Sequence, residues 1–173
     1  MSDMIPSKNW LGSIPVIGVN HVHILVKDIE SVRKAYEGSP LETTFYDVSA
    51  FNGELAFMVH SEPYSVEYIQ VIDTQTGAAR LLKDAPLGLN AIDLLVNDID
   101  ESIEAARKIG FILTGRMVIY GCQEAWLWNP ERELNIEFMS MPPEGYTPGS
   151  DPEADKAKVH IYGMDGTEDL YFE

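Results

Sequence analysis

The stretch VIGVNHVHILV, residues 16–26, decides the fold. Its side chains alternate with a period of two: Val22, Ile24 and Val26 face one way, and His21, His23 and Leu25 face the other. Two imidazoles thus occupy the face that a half-buried strand normally fills with apolar groups. They are either hydrogen-bonded core histidines or part of a site. Farther along, NAIDLLVNDID at residues 90–100 repeats NHVHILVKDIE at residues 20–30, with Asn, Leu, Val, Asp and Ile in register at an offset of 70. A self-match at a fixed period outweighs any single motif, because it reports a duplicated structural unit.

Each copy continues in the same order. In the first, Asp28 is a good N-cap for a helix in which Ile29, Val32, Ala35 and Tyr36 recur at helical spacing, and Gly38-Ser39-Pro40 ends it. Strand-like runs at 42–48, 54–60 and 64–72 follow, separated by Asn52-Gly53 and Glu62-Pro63. A short linking helix is expected over 76–85, ended by Pro86. In the second copy a helix from Asp98 to about Ile109 is capped by Gly110, and strands are expected over 111–118, 122–128 and 133–140. The chain therefore divides into an arm (1–14), a β-α-β-β-β module (15–74), the linker helix (75–87), a second β-α-β-β-β module (88–141) and an acidic tail rich in Pro and Gly (142–173). The tail is expected to wrap the surface in extended form or to be partly disordered, with a short strand at 159–162. Its last six residues, EDLYFE, resemble a protease-cleavage tag of the form ENLYFQ with both amides read as acids, so they are set aside from the fold.

An apolar fraction of 45% with 23% charged residues is that of a soluble globular protein. The formal charge of −16 argues against nucleic acid or an anionic membrane surface as partner, since both recruit basic patches. The single Cys122 has no internal disulfide partner, the first dozen residues hold no apolar stretch like a signal sequence, and no apolar run is long enough to span a bilayer. A cytoplasmic protein is expected.

The offset also holds at the far end of each copy, where Val66-Glu67-Tyr68 matches Ile136-Glu137-Phe138. Glu67 and Glu137 take equivalent places in the last strand of each copy, on the face opposite their apolar neighbours. Acids there are costly if the face is dry and unpaired, so something polar should lie between them.

A duplicated β-α-β-β-β chain opening on NHVHILVKDI resembles the vicinal oxygen chelate superfamily, which includes glyoxalase I, methylmalonyl-CoA epimerase, extradiol dioxygenases and fosfomycin or bleomycin resistance proteins. The resemblance spans residues 17–141. It implies an α+β fold in which two tandem modules curl into one cleft, with a divalent metal held by one residue from the first and one from the last strand of each module. Carried over, the ligands are His21, Glu67 and Glu137, and the fourth position falls on Ala91, which has no ligating atom. His23, on the face of His21, and Asp93, its counterpart 70 residues on, can complete the site, carry a proton or pair with each other. If they pair, the carboxylate raises the histidine's pKa. One nitrogen and two hard oxygens suit Zn, Mn, Fe, Ni or Co as divalent ions without choosing among them.

The implied chemistry is metal-assisted proton transfer by an isomerase, epimerase or lyase on a small carbonyl or enol substrate with an apolar or aromatic part. His23, Asp93 or a glutamate displaced from the metal, such as Glu137, would carry the proton. The glutamate at the end of the first module is closer to glyoxalase I than to a ring-cleaving dioxygenase, which would need a histidine where Ala91 stands. Two other readings stay open. In one, Ala91 marks loss of the ion, and His23 with Asp93, or His21 with Glu67, acts as a metal-free acid–base pair. In the other, the protein only sequesters a small molecule, its aromatics stacking on a planar ligand while its acids meet a cationic group. Relatives also imply a homodimer. Phe57, Tyr64, Trp126, Trp128 and Met139 are expected in the core, with any cleft-facing members lining an apolar pocket. His60 and His160 are expected at the surface.

Overall fold

The computed structural model describes residues 11–144, 147, 150, 158–163 and 168–172. Most of the expected arm, and the tail segment expected to wrap or to be disordered, lie outside the described residues. In the first repeat β1 (Val16–Leu25) is followed by α1 (Ile29–Ala35), β2 (Thr43–Asp47), a one-turn helix α2 (Ser49–Asn52), β3 (Glu54–Val59) and β4 (Ser65–Val71). A 3-10 helix (Gly77–Leu82) leads into β5 (Gly88–Val96), α3 (Ile99–Arg107), β6 (Ile112–Ile119), β7 (Cys122–Asn129) and β8 (Leu134–Ser140). Two further strands, β9 (Lys158–Tyr162) and β10 (Glu168–Phe172), close the order β10-β9-β6-β7-β8-β5-β1-β4-β3-β2 in one mixed sheet. The fold is α+β, and the sheet curls into a half-barrel.

Helices α1 and α3 start where the sequence places them. The Asp28 side chain accepts from the amides of Glu30 and Ser31, and that of Asp98 accepts from the amide of Glu101 at 2.9 Å, meeting donors that have no partner inside the helix. Ile29 of α1 is buried in a cluster with Phe57 and Val59, flanked by Val32, Tyr36 and Tyr68. The larger cluster packs Ile99, Ile103 and Ala106 of α3 against Leu94, Leu127, Ile136 and Phe138. Helices and apolar side chains thus cover one face of the sheet. The alternate residues are left to the concave face, and these include both histidines.

Three expectations change in detail. The Asn52-Gly53 turn is the end of α2, with Gly53 left-handed at φ 75°. The linking helix is shorter than expected and of the 3-10 type. Buried Asn52 fixes it in place: its Oδ1 accepts from the amide of Ala78 at 2.8 Å, and its Nδ2 donates to Glu54 Oε1 at 2.6 Å. The tag-like segment set aside from the fold forms β10, its backbone pairing with β9. An open strand edge takes any extended segment through main-chain hydrogen bonds, whatever its origin.

Strand registers position the site. β1 and β4 are parallel with His23 beside Glu67, and β5 and β8 are parallel with Asp93 beside Glu137. The two halves meet where β1 and β5 run antiparallel, with His21 opposite Asp93 and His23 opposite Ala91.

Candidate metal centre and cavity

The imidazoles of His21 and His23 stack with centroids 4.6 Å apart and planes 5° from parallel, and their Nε2 atoms stand 2.6 Å from each other. Glu67 Oε2 lies 3.3 Å from both Nε2 atoms, and Glu137 Oε2 lies 3.1 Å from that of His23. Glu137 is buried at 2% exposure, yet this oxygen accepts no hydrogen bond, because it sits near the His23 nitrogen without lining up with an N–H. Behind His21, Nδ1 is 3.1 Å from Asp93 Oδ2 and 3.0 Å from Asn20 Nδ2, which donates to that carboxylate at 2.7 Å. The structure therefore brings together every site residue named from the sequence, but it redistributes the pairs. Asp93 stands with His21 and not with His23, because antiparallel pairing puts it across from His21.

These groups titrate as one cluster. Burial pushes His23 down to about 4, and the neighbouring His21 adds to this while Glu67 opposes it. Burial would also lower His21, but the Glu67 hydrogen bond and the charges of Glu67, Asp93 and Glu124 outweigh it and raise the group. Glu67 moves the other way: burial raises it, and the two imidazoles more than compensate, so it is held ionised. Burial raises Asp93 to about 6 against the pull of His21 and Asn20. Glu137 is raised well above the carboxylate range by burial and then by Glu124, Asp93 and Glu67.

Two acids here were not among the sequence candidates. Glu54 on β3 and Glu124 on β7 are buried, and each is raised to about 8 by burial and neighbouring carboxylates. A signal for them exists in strand alternation. Met58 lies beside Glu67 and Trp126 beside Glu137 in the antiparallel pairs, so the two-residue period carries Glu54 and Glu124 to the same concave face.

That face walls a cavity of about 250 Å³. His21, His23, Glu67 and Glu137 form its floor, Glu54 and Glu124 its sides, and Phe51, Met117, Ile119 and Trp126 contribute apolar wall. Trp126 and Met139 line it as expected of cleft-facing members of the aromatic stripe, while Phe57 is core under α1. Tyr64, expected in the core, is 44% exposed. His60 and His160, expected at the surface, are half-buried, and His60 Nε2 bonds Thr44 Oγ1 at 2.9 Å.

The family profile for the glyoxalase/bleomycin resistance protein/dioxygenase superfamily matches residues 20–126. The chain belongs to this superfamily. No curated protein sequence matches it significantly. Solved structures of the superfamily fold do. A hypothetical protein from Bacillus halodurans C-125 superposes with TM-score 0.60 at 20% identity, covering 75% of this chain and 97% of that one. Methylmalonyl-CoA epimerase from Mycobacterium tuberculosis gives 0.60 at 16% identity over 82% and 95%. A variant of Streptomyces coelicolor methylmalonyl-CoA epimerase in complex with 2-nitronate-propionyl-CoA gives 0.56 at 14% identity over 72% and 97%. At these identities the likeness is one of fold.

The residues present fit a divalent ion. One ligand atom from each of His21, His23 and Glu137 falls within 4.8 Å of the others. Two imidazole nitrogens crowd together, and a buried carboxylate oxygen beside them has no hydrogen-bond donor. A cation among them would relieve both conditions, and the mixed nitrogen and oxygen set is that of a borderline transition metal. Among the described residues no helix is long and apolar enough to cross a membrane.

Proposed function

We propose that this chain is an enzyme that holds one divalent transition metal on His21, His23 and Glu137 and moves protons beside a carbonyl or enol oxygen, as an isomerase, epimerase or lyase. The observation that carries the reading is the convergence of both Nε2 atoms, 2.6 Å apart, beside the unpaired Glu137 oxygen in the lining of the cavity. When bound, such an ion stabilises negative charge developing on a substrate oxygen. The similarity to methylmalonyl-CoA epimerases, whose name describes a change of configuration at one carbon, supports the reaction class.

In this reading His23 takes the ligand place that the sequence resemblance gave to Glu67. Glu67 is freed for proton work. It is ionised, it has 16% side-chain exposure where the side chains of both histidines and Glu137 have 8% or less, and it lies in the cavity wall. A positioned carboxylate base contributes about 10²–10⁴-fold to rate. Asp93 is fully buried and absent from the cavity wall, so it acts through His21. The Asp93 charge beside Nδ1 favours the tautomer that carries a proton there and leaves the Nε2 lone pair turned to the site. Glu54 and Glu124, raised to about 8, stay uncharged in the empty cavity and ionise when a cationic group comes beside them.

Metal analysis tests the reading. Protein purified without added metal and without a polyhistidine tag should carry close to one transition ion per chain, and His23→Ala should lose it. Glu67→Gln should keep the ion but abolish deuterium wash-in from D2O beside the carbonyl of whichever small hydroxyketone or oxoaldehyde the unaltered protein exchanges. Substoichiometric metal that soaking does not restore would overturn the reading and leave His21 with Glu67 as a metal-free acid–base pair.

A further inference from the structure

We infer that the portion of the substrate lying beyond its chelated oxygens is uncharged or cationic, a hydroxyl- or amine-bearing aromatic or hydrocarbon group and not an acid, and that Glu54 and Glu124 select it. This rests on the proposed metal at the histidine end of the cavity.

The wall chemistry is one-sided. Glu54, Glu67, Glu124 and Glu137 all line the cavity, Asp93 lies just behind His21, and no Lys or Arg lines it among the described residues. A divalent ion offsets two of these five carboxylates. The balance stays negative even when two more are protonated. A ligand bearing its own carboxylate would find the ion as its sole counter-charge, and in this reading that position belongs to the reacting oxygens.

Glu54 and Glu124 stand on different strands. Asn52 holds Glu54 at 2.6 Å, and Glu124 is flanked across the sheet by Met117 and Met139. Four glutamates and no Lys or Arg stand in this lining, so an occupant that donates or carries positive charge suits it. Phe51, Ile119 and Trp126 supply the apolar surface for a ring or hydrocarbon frame, and a cation near Trp126 also meets an aromatic face.

The test uses three catechols that share a chelating head and differ at one ring substituent: aminoethyl, methyl or carboxymethyl. Their phenyl counterparts, which lack the hydroxyls, serve as controls. Affinities are measured by calorimetry on the metal-loaded protein. The aminoethyl catechol should bind about tenfold or more tightly than the carboxymethyl one, with the methyl compound between them. Glu54→Gln and Glu124→Gln should each shrink that ratio severalfold. The two lie on separate strands, so loss of fold in one leaves the other to report.

Carboxymethyl binding equal to or tighter than methyl would overturn the inference. So would a ratio unchanged in both variants, or no binding by any of the three. Failure of the metal reading looks different. The catechols would then bind no better than their phenyl counterparts, while the order of charge preference persisted.

Discussion

Asp93→Asn separates the two jobs of the buried carboxylate, and its effects can be worked from the structure. Asp93 Oδ2 faces His21 Nδ1 at 3.1 Å and is fully buried. In the proposed site it fixes the tautomer that presents Nε2. An amide oxygen brings no charge beside Nδ1, and loss of such an outer partner typically weakens metal binding about 10- to 100-fold, or about 1.4 to 2.7 kcal/mol. The same change acts on stability without metal. Burial moves Asp93 from 3.8 to about 6, with His21 and Asn20 opposing. The folded protein then holds this proton more tightly than the unfolded chain does, so the contribution is present below about pH 4 and is lost as pH rises through 6. The displacement corresponds to about 3 kcal/mol, as an order of magnitude. Asparagine has no such proton. Urea titrations of chelator-treated protein from pH 4 to 8 should therefore show a fall between pH 4 and 6 that is smaller in the variant by about that amount. The further fall toward pH 8, from Glu54 and Glu124 raised to about 8, should remain. Metal affinity would be read by competition with a fluorescent chelator. Unchanged affinity together with an unchanged slope would refute the role given to Asp93.

Moving a histidine across the strand pair tests the geometry: His23→Ala should lose metal, and adding Ala91→His should restore much of it, whereas Ala91→His alone should destabilise by about 1–3 kcal/mol through overpacking of a position 4% exposed. Gly53→Ala should lower thermal stability far more than Gly38→Ala. Both glycines are left-handed, but a Cβ at Gly53 would stand 2.3 Å from the Asp73 carbonyl oxygen, whereas at Gly38 it meets nothing within 4 Å and costs only about 1–2 kcal/mol. Phe138→Ala, at 0% exposure in the α3 cluster, should cost about 3–5 kcal/mol by urea denaturation with little change in metal content.

Periodic features were the legible ones. Alternation placed both histidines on the buried face of β1, and capping chemistry placed the starts of α1 and α3 at Asp28 and Asp98. Short non-periodic pieces were not legible. Helix α2 is one turn long, and nothing in SAFN distinguishes a turn from a helix until Asn52 is seen bonding to Ala78 across 26 positions. Glu54 and Glu124 were missed for a related reason. Equal spacing by 70 suggests equivalence, but the repeats drift between their middle strands. Met58 and Trp126, which hold equivalent places beside Glu67 and Glu137, are 68 apart. Glu54 lies opposite Val71, and Glu124 lies opposite Met139. Their shared cavity is visible only through cross-strand register.

The same distinction between equivalence and adjacency explains the site itself. A repeat offset tells which residues correspond, and antiparallel pairing tells which ones touch. Along β1 and β5 the two relations coincide only at Val22 and Ile92. On either side they exchange partners. His21 corresponds to Ala91 but faces Asp93, and His23 corresponds to Asp93 but faces Ala91. In the proposed site a ligand absent at 91 therefore does not leave a corner open. The small side chain there stands opposite His23, whose ring stacks on His21 and brings its Nε2 to the same point. An asymmetric pair on one strand thus stands where the resemblance leads one to expect a symmetric pair on two. The carboxylate across from His21 is spared from the cavity wall and, in the proposed site, orients that imidazole from behind.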